Sequence, residues 1–205
     1  MKDSIKETLE YLGIQSDLEK SRKVDVMPED RMLAITRETG EFLNILLRLK
    51  NAKNMLEVGM SVGYSTIWCA DAISDQSGQI ISIEKNPNKI SRAKENFLKA
   101  EVKDVITIKE GLAIKILNEL NQNVKYHNFF DAVLIDADKE NIIEYFDLIL
   151  PMVNIGGLII TDNMLYPEKY RESMKQFSNY LKKNANLRTI TSSIGNGEEI
   201  TVKIK

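Results

Sequence analysis

The sequence predicts a doubly wound α/β sheet with an antiparallel end. Short apolar runs alternate five times with amphipathic helical segments between Met55 and Leu181. The last stretch, Leu187 to Ile204, changes to period-two patterning around Asn196-Gly197, which reads as a hairpin. Residues able to do chemistry recur at the carboxyl ends of the apolar runs, the edge where such sheets bind ligands. They are Glu57 with Gly59, Glu84, Gly111, Asp136 and Asp162-Asn163.

The elements follow in order. Residues 3–12 place Ile5, Leu9 and Leu12 on one face, a short helix that Gly13 is expected to stop. Gln15 to Asp25 is polar and reads as a mobile connection or a flap. From Pro28, the residues Met32, Ile35, Thr39, Phe42, Leu43, Leu46 and Leu49 recur at helical spacing, so one helix is expected to lead into the central strand. Gly40 inside it marks either a close approach or a break between two helices. Residues 1–50 together form an N-terminal helical cap.

Met55 to Val58 is the first strand, followed by a tight glycine turn and a helix opening near Gly63. Gln79 to Ile83 is the second strand, with Glu84 at its end, and Pro87 starts the next helix. Val102 to Lys109 forms the third strand and 112–121 its helix. Phe130 to Asp136 is the fourth strand and 139–150 its helix, ended by Pro151. Gly156 to Thr161 is the fifth strand, and the helix after Pro167 carries Tyr170, Met174, Phe177 and Leu181 on one stripe.

At 205 residues the chain suits one domain, 1–205, with one well-buried core. A net charge of −2 gives no electrostatic case for nucleic acid. The single Cys69 excludes an internal disulfide and reads as a small core residue beside Trp68. No run approaches a membrane span and no leader is evident, so a cytoplasmic protein without a membrane partner is expected. His127, in the loop before the fourth strand, lies at the wrong edge for a ligand site and reads as a surface residue.

The glycine turn narrows the ligand. A dinucleotide fingerprint needs Gly-x-Gly-x-x-Gly, whereas this turn is Gly59-x-x-x-Gly63 with Met60, Ser61 and Val62 between. The Gly-Lys-Ser/Thr of a phosphate loop is absent. Glu57 would repel a pyrophosphate but suits a ligand carrying an ammonium group. Ser65 and Thr66 add hydroxyls near the first helical turn, and Glu84 can accept both hydroxyls of a ribose. Gly111 to Ala113 could line a planar ring. Asp136, Asp162 and Asn163 gather three oxygen donors suited to a hard cation. Strands also end in Asp or Asn simply because these residues turn and cap well. Lys139 lies one helical step past Asp136, close enough to act on something held there, and Asp138 stands between them.

Four motifs carry a family resemblance: Leu56-Glu-Val-Gly-x-x-x-Gly-Tyr-Ser-Thr66, Ile83-Glu84, Asp131-x-x-x-x-Asp136-Ala-Asp-Lys139 and Gly157-x-x-x-x-Asp162-Asn163. From about Pro28 onward the chain resembles the cation-dependent S-adenosylmethionine O-methyltransferases of the catechol and caffeoyl-CoA type. The resemblance implies a seven-stranded sheet whose last pair is antiparallel, and usually a homodimer. It implies that Glu57, Gly59 and Ser65 surround the amino-acid end of S-adenosylmethionine, with Ser61, Gly63 and Tyr64 also among the cofactor-binding residues. Glu84 would hold the ribose, Gly111 and Ala113 would lie by the adenine, and Asp136 would complete the cofactor set. Asp136, Asp162 and Asn163 would bind Mg²⁺, or another hard divalent cation such as Mn²⁺ or Ca²⁺, and Lys139 would be the catalytic base.

The implied acceptor is a small aromatic vicinal diol, whose phenol pKa of about 10 the cation would lower. The chain departs from the family at Met60, where relatives often carry a small polar residue, and at Asn196-Gly197, where Asp-Gly is more usual. Glu198 and Glu199 receive no assignment. Two other classes stand beside this reading: a dinucleotide-dependent oxidoreductase, disfavoured by the missing third glycine, and a catalytically inactive scaffold, disfavoured by Lys139 and the three oxygen donors. Methyl transfer to RNA or protein is disfavoured by the balanced charge.

Overall fold

The computed structural model describes residues 1–205 and contains one seven-stranded sheet in the order β3-β2-β1-β4-β5-β7-β6. In chain order the elements are α1 (Asp3–Lys20), α2 (Arg37–Lys50), β1 (Asn54–Val58), α3 (Tyr64–Ser74), β2 (Gln79–Glu84), α4 (Pro87–Lys99), β3 (Ile106–Glu110) and α5 (Ala113–Gln122). They continue with β4 (Phe130–Ile135), α6 (Ile142–Ile149), β5 (Val153–Thr161), α7 (Arg171–Lys182), β6 (Leu187–Ser192) and β7 (Glu198–Lys203). The first five strands are parallel; β7 runs antiparallel to both β5 and β6. Successive strands step outward from β1 to β3, then the chain returns to β4 on the other side of β1. That reversal opens the carboxyl edge between β1 and β4, where ligands enter such sheets.

Alternation along β1 explains the two layers. Met55 joins a core shared with α1, α2, α3 and α4, containing Leu12, Leu43, Trp68 and Phe97. Leu56 and Val58 face the other way, into a core with α5, α6 and α7 that contains Leu117, Phe130, Phe146 and Phe177. Each fully buried Leu or Phe contributes about 1.5–3 kcal/mol relative to exposure. Glu57 shares the Met55 parity and is therefore turned toward the α3 side.

The amino-terminal third departs from the sequence expectation. The first helix does not stop at Gly13 but continues to Lys20, across most of the expected polar connection. A helical glycine costs about 1 kcal/mol, and the bonds that Glu19 in the added turns accepts from Met32 N–H at 2.6 Å and from Arg92 at 2.6 Å offset it. The expected helix from Pro28 is instead a single 3₁₀ turn, Pro28–Asp30, then extended chain up to Arg37. Its backbone donors are taken elsewhere: Met32 N–H donates to Glu19 at 2.6 Å and Leu33 N–H to Ser61 Oγ at 3.4 Å. Thr36 then caps α2 by accepting from Thr39 N–H at 3.1 Å.

Gly40 lies inside α2, where an added Cβ would come within 2.4 Å of Trp68 Nε1; the glycine marks a close helix–helix approach, not a break. Three more boundaries move, the first being that of the fifth strand, which begins at Val153 and not at Gly156 because Val153 already pairs with Phe130 of β4. The third strand begins at Ile106, after a 3₁₀ turn at Lys103–Val105. The helix expected over 139–150 is confined to Ile142–Ile149, because Asp138 accepts from Asn141 Nδ2 at 2.6 Å and from Tyr145 Oη, which holds the preceding loop out of the helix. His127 is exposed, as expected. No helix is long and apolar enough to cross a membrane.

Candidate active site

Backbone hydrogen bonds carry the strand ladder just past each strand end and so align the site. Gly59 N–H donates to Ile83 O at 3.0 Å, Asp136 N–H to Val58 O at 2.8 Å, Asp162 N–H to Ile135 O at 3.1 Å and Gly111 N–H to Glu84 O at 2.9 Å. Every residue placed at the carboxyl edge by the sequence therefore lies at that edge. Gly59 has φ +98, and a Cβ there would meet Asp136 O at 1.9 Å, so only glycine lets the turn after β1 sit against the end of β4.

The turn is organised by two carboxylates. Glu84 accepts Ser61 N–H at 2.8 Å through one oxygen, and Lys85 N–H at 2.9 Å and Asn86 N–H at 3.0 Å through the other. It remains partly exposed at the mouth. Glu57 is fully buried and accepts from Ser65 Oγ at 2.6 Å, Thr66 Oγ1 at 2.6 Å and Ser82 Oγ. Burial pushes its carboxyl pKa up and the three hydroxyl donors oppose that shift. Glu57 thus meets hydroxyls, with Ser65 standing between it and the helix start. Tyr64 packs edge-on against Trp68 with ring centroids 6.4 Å apart, which commits its side chain to the core.

Across the edge, Asp162 is 1 % exposed and Lys139 5 % exposed. Lys139 Nζ lies 3.7 Å from Asp136 Oδ1 and makes no hydrogen bond. Burial first, then the Asp162 charge, raises the Asp136 pKa to about 7, with Lys139 pulling the other way. Asp162 is also raised, chiefly by burial. Asn163, in the left-handed region at φ +66, donates its N–H to Asp162 Oδ1 at 2.6 Å. The segment beyond is zipped to the hairpin turn: Met164 N–H donates to Gly197 O at 2.9 Å and Leu165 N–H to Asn196 O at 2.9 Å. Asp136, Lys139, Asp162 and Asn163 are thus brought to one corner, with Glu57, Ser61, Ser65 and Glu84 around the glycine turn and Gly111 and Ala113 at the end of β3.

One residue of this corner was not assigned from sequence. Pairing of Thr161 with Glu199 sets Glu198 beside Asp162. Glu198 is wholly buried, accepts from Thr39 Oγ1 at 3.0 Å through Oε1 and leaves Oε2 without a partner. Burial and the Asp162 charge push its pKa to about 11. Glu199 faces the opposite way and accepts from Ser178, Thr189 and Thr191 hydroxyls. Adjacent strand residues must point to opposite faces, so one of the two glutamates had to reach the site; the register decides which.

The oxygen donors suited to a cation are the Asp136 and Asp162 carboxylates and the Asn163 amide, with Glu198 beside Asp162 and no histidine or thiol at the corner. No group of three or more His, Cys, Asp and Glu side chains is arranged to hold a metal ion by itself. Two carboxylates and an amide leave coordination positions to water or substrate, the habit of Mg²⁺ sites. The buried, mutually repelling Asp136 and Asp162 fit such an ion, because a cation would offset charge that the protein here offsets only with Lys139.

Comparison with known proteins agrees with this geometry. The O-methyltransferase family profile matches residues 11–204. A caffeoyl-CoA O-methyltransferase of Petroselinum crispum is 36% identical over 79% of this chain and 67% of its own length. Caffeoyl-CoA O-methyltransferase 2 of Populus trichocarpa is 29% identical over 98% of this chain and 87% of its own. Among solved structures, the O-methyltransferase TomG from Streptomyces achromogenes, in complex with SAM, superposes with a TM-score of 0.78 at 23% identity, covering 100% of this chain and 91% of that one. The O-methyltransferase from Bacillus cereus, in complex with SAH, gives 0.75 at 24% identity, covering 99% and 91%. The chain belongs to the O-methyltransferase family, to its caffeoyl-CoA type, and is an enzyme of methyl transfer to oxygen.

Proposed function

We propose that this enzyme takes the methyl group of S-adenosylmethionine and transfers it to a hydroxyl of a small aromatic vicinal diol held beside a divalent cation. The observation that carries the reading is the corner itself: Lys139 Nζ, buried and without a hydrogen bond, 3.7 Å from a carboxylate of the oxygen-donor set Asp136, Asp162 and Asn163.

Each residue has a physical task. Glu84, held by three backbone N–H groups, presents a fixed acceptor to the two ribose hydroxyls. Ser65, whose hydroxyl donates to Glu57, supports the amino-acid end of the donor at the glycine turn. The shape of the turn, set by Gly59 and Gly63, admits the ligand close to backbone. Asp136, Asp162 and Asn163 would hold Mg²⁺ or a similar hard cation, which when bound stabilises a phenolate and lowers the pKa of the diol. Lys139 Nζ is placed to accept the proton from the acceptor oxygen, a role worth about 10²–10⁴ in rate for a positioned base. The oxygen then attacks the methyl carbon, the carbon–sulfur bond breaks and the thioether leaves. No covalent enzyme intermediate is needed, so positioning and electrostatics supply most of the acceleration.

Replacing Asp162 with Ala tests the assignment. Turnover of a generic catechol in Mg²⁺ is expected to fall by about a hundredfold or more, as when a preorganised electrostatic group is lost. Affinity for S-adenosylmethionine, measured by calorimetry, should stay within about threefold. Turnover unaffected by Asp162→Ala, or equal loss of turnover and cofactor affinity, would contradict it.

A further inference from the structure

Residues 28–36, a 3₁₀ turn at Pro28–Asp30 followed by extended chain, cross the face of the glycine turn as a strap, and two linked hydrogen-bond rings tie it down. The first ring passes through Glu84. Asn86 N–H donates to Glu84 Oε1 at 3.0 Å, and Asn86 Nδ2 donates to Asp30 Oδ1 at 2.9 Å and Glu29 O at 3.0 Å. Three residues along the strap, Leu33 N–H donates to Ser61 Oγ at 3.4 Å, and Ser61 N–H returns to Glu84 Oε2 at 2.8 Å. The second ring anchors the strap to helices. Arg92 on α4 donates to Asp30 O at 2.8 Å and to Glu19 at 2.6 Å, and Glu19, nearly buried at the end of α1, also accepts Met32 N–H at 2.6 Å.

The strap and the turn face each other. Met32, Leu33 and Ala34 lie against Met60, Ser61, Val62, Tyr64 and Ser65 across a crevice too narrow for a water molecule. Asn86 is the hub. Its Oδ1 caps α4 by accepting Asn88 N–H at 2.8 Å and Lys89 N–H at 3.2 Å. A cap needs only that oxygen, and Asp or Ser supplies one equally well. The amide's second half is therefore free for another task, and it is spent on the strap.

We propose that Asn86 and Arg92 are positioning residues for the methyl donor: by clasping the strap to α4 they fix Glu84 and Ser61 where the ribose and the glycine turn meet. The proposal rests on the reading of Glu84 as the ribose acceptor. It predicts that donor affinity depends on side chains that touch the strap and not the donor.

The test uses calorimetric titration of S-adenosylmethionine into the full chain. Asn86→Asp keeps the capping oxygen and turns the strap donor into a charge facing Asp30. Its dissociation constant is expected to rise about tenfold, the scale of one hydrogen bond to a charged group, with the melting temperature lowered by only a few degrees because the cap survives. In turnover assays the donor KM rises and kcat at saturating donor is retained. The double variant Asp30→Asn/Asn86→Asp removes the like-charge pair and restores a donor facing an acceptor between these two positions, but not the bonds to Glu29 O and from Asn88, and is expected to lower the dissociation constant at least about threefold from that of Asn86→Asp. Wild-type affinity in Asn86→Asp, or a loss that the double variant fails to lessen, would overturn the coupling. Glu84→Ala separates the two readings: weakened binding there with wild-type affinity in Asn86→Asp sinks the clasp alone, whereas unchanged affinity in Glu84→Ala removes the ribose assignment and the clasp with it.

Discussion

Single atoms decide several features of the site. Glycine at 40 is required because the Trp68 indole occupies the volume of its missing Cβ. Gly40→Ala is expected to destabilise the protein by about 1–3 kcal/mol, the usual cost of overpacking a tight contact. Trp68 is the sole tryptophan, so its emission maximum should shift in the same variant; a normal melting curve with unshifted emission would show that α2 and α3 can separate freely. At the corner, Glu198 was out of reach of the sequence for a definite reason. Two consecutive glutamates in a strand present one carboxylate to each face, and only the pairing of β7 with β5 fixes that it is Glu198 which meets Asp162. The strand-end acids were legible because they follow runs such as Ala132 to Ile135, whose unbroken burial marks a central parallel strand.

Among elements, the parallel strands and their helices were legible and the amino-terminal elements were not. Strands β1, β2 and β4 read correctly because both faces are buried, and α4 because Asn86-Pro87 is a helix start in local chemistry alone. The strap could not be read locally. The spacing of Met32 and Ile35 is helical, yet both side chains are buried from an extended backbone whose N–H groups are taken by Glu19 and Ser61, distant in sequence. In the same way α1 runs past its glycine because the tertiary bonds of Glu19 to Met32 N–H and Arg92 override propensity. Gly13 therefore sits at a helical position where a Cβ would meet only Tyr64 Oη, at 4.0 Å. Gly13→Ala is expected to raise stability by about 0.5–1 kcal/mol, read as a higher denaturant midpoint. A lower midpoint would indicate that the helix breaks there after all.

For the molecule as a whole, the topological reversal between β1 and β4 does the organising. It sets the glycine turn, Glu84 and Gly111 on one side of an opening and Asp136, Lys139, Asp162 and Asn163 on the other, so a sulfonium donor and an ionisable acceptor can meet between them. The amino-terminal strap closes one flank, and the hairpin turn at Asn196-Gly197, bonded to Met164 and Leu165, closes the other. The most direct measurement is calorimetric titration of S-adenosylmethionine with and without Mg²⁺, followed by titration of a catechol into the donor-saturated protein. Saturable donor binding, and catechol binding that appears only with the metal, is the expected result. Absence of donor binding under both conditions, or catechol binding indifferent to Mg²⁺, would contradict cation-assisted methyl transfer at these strand ends.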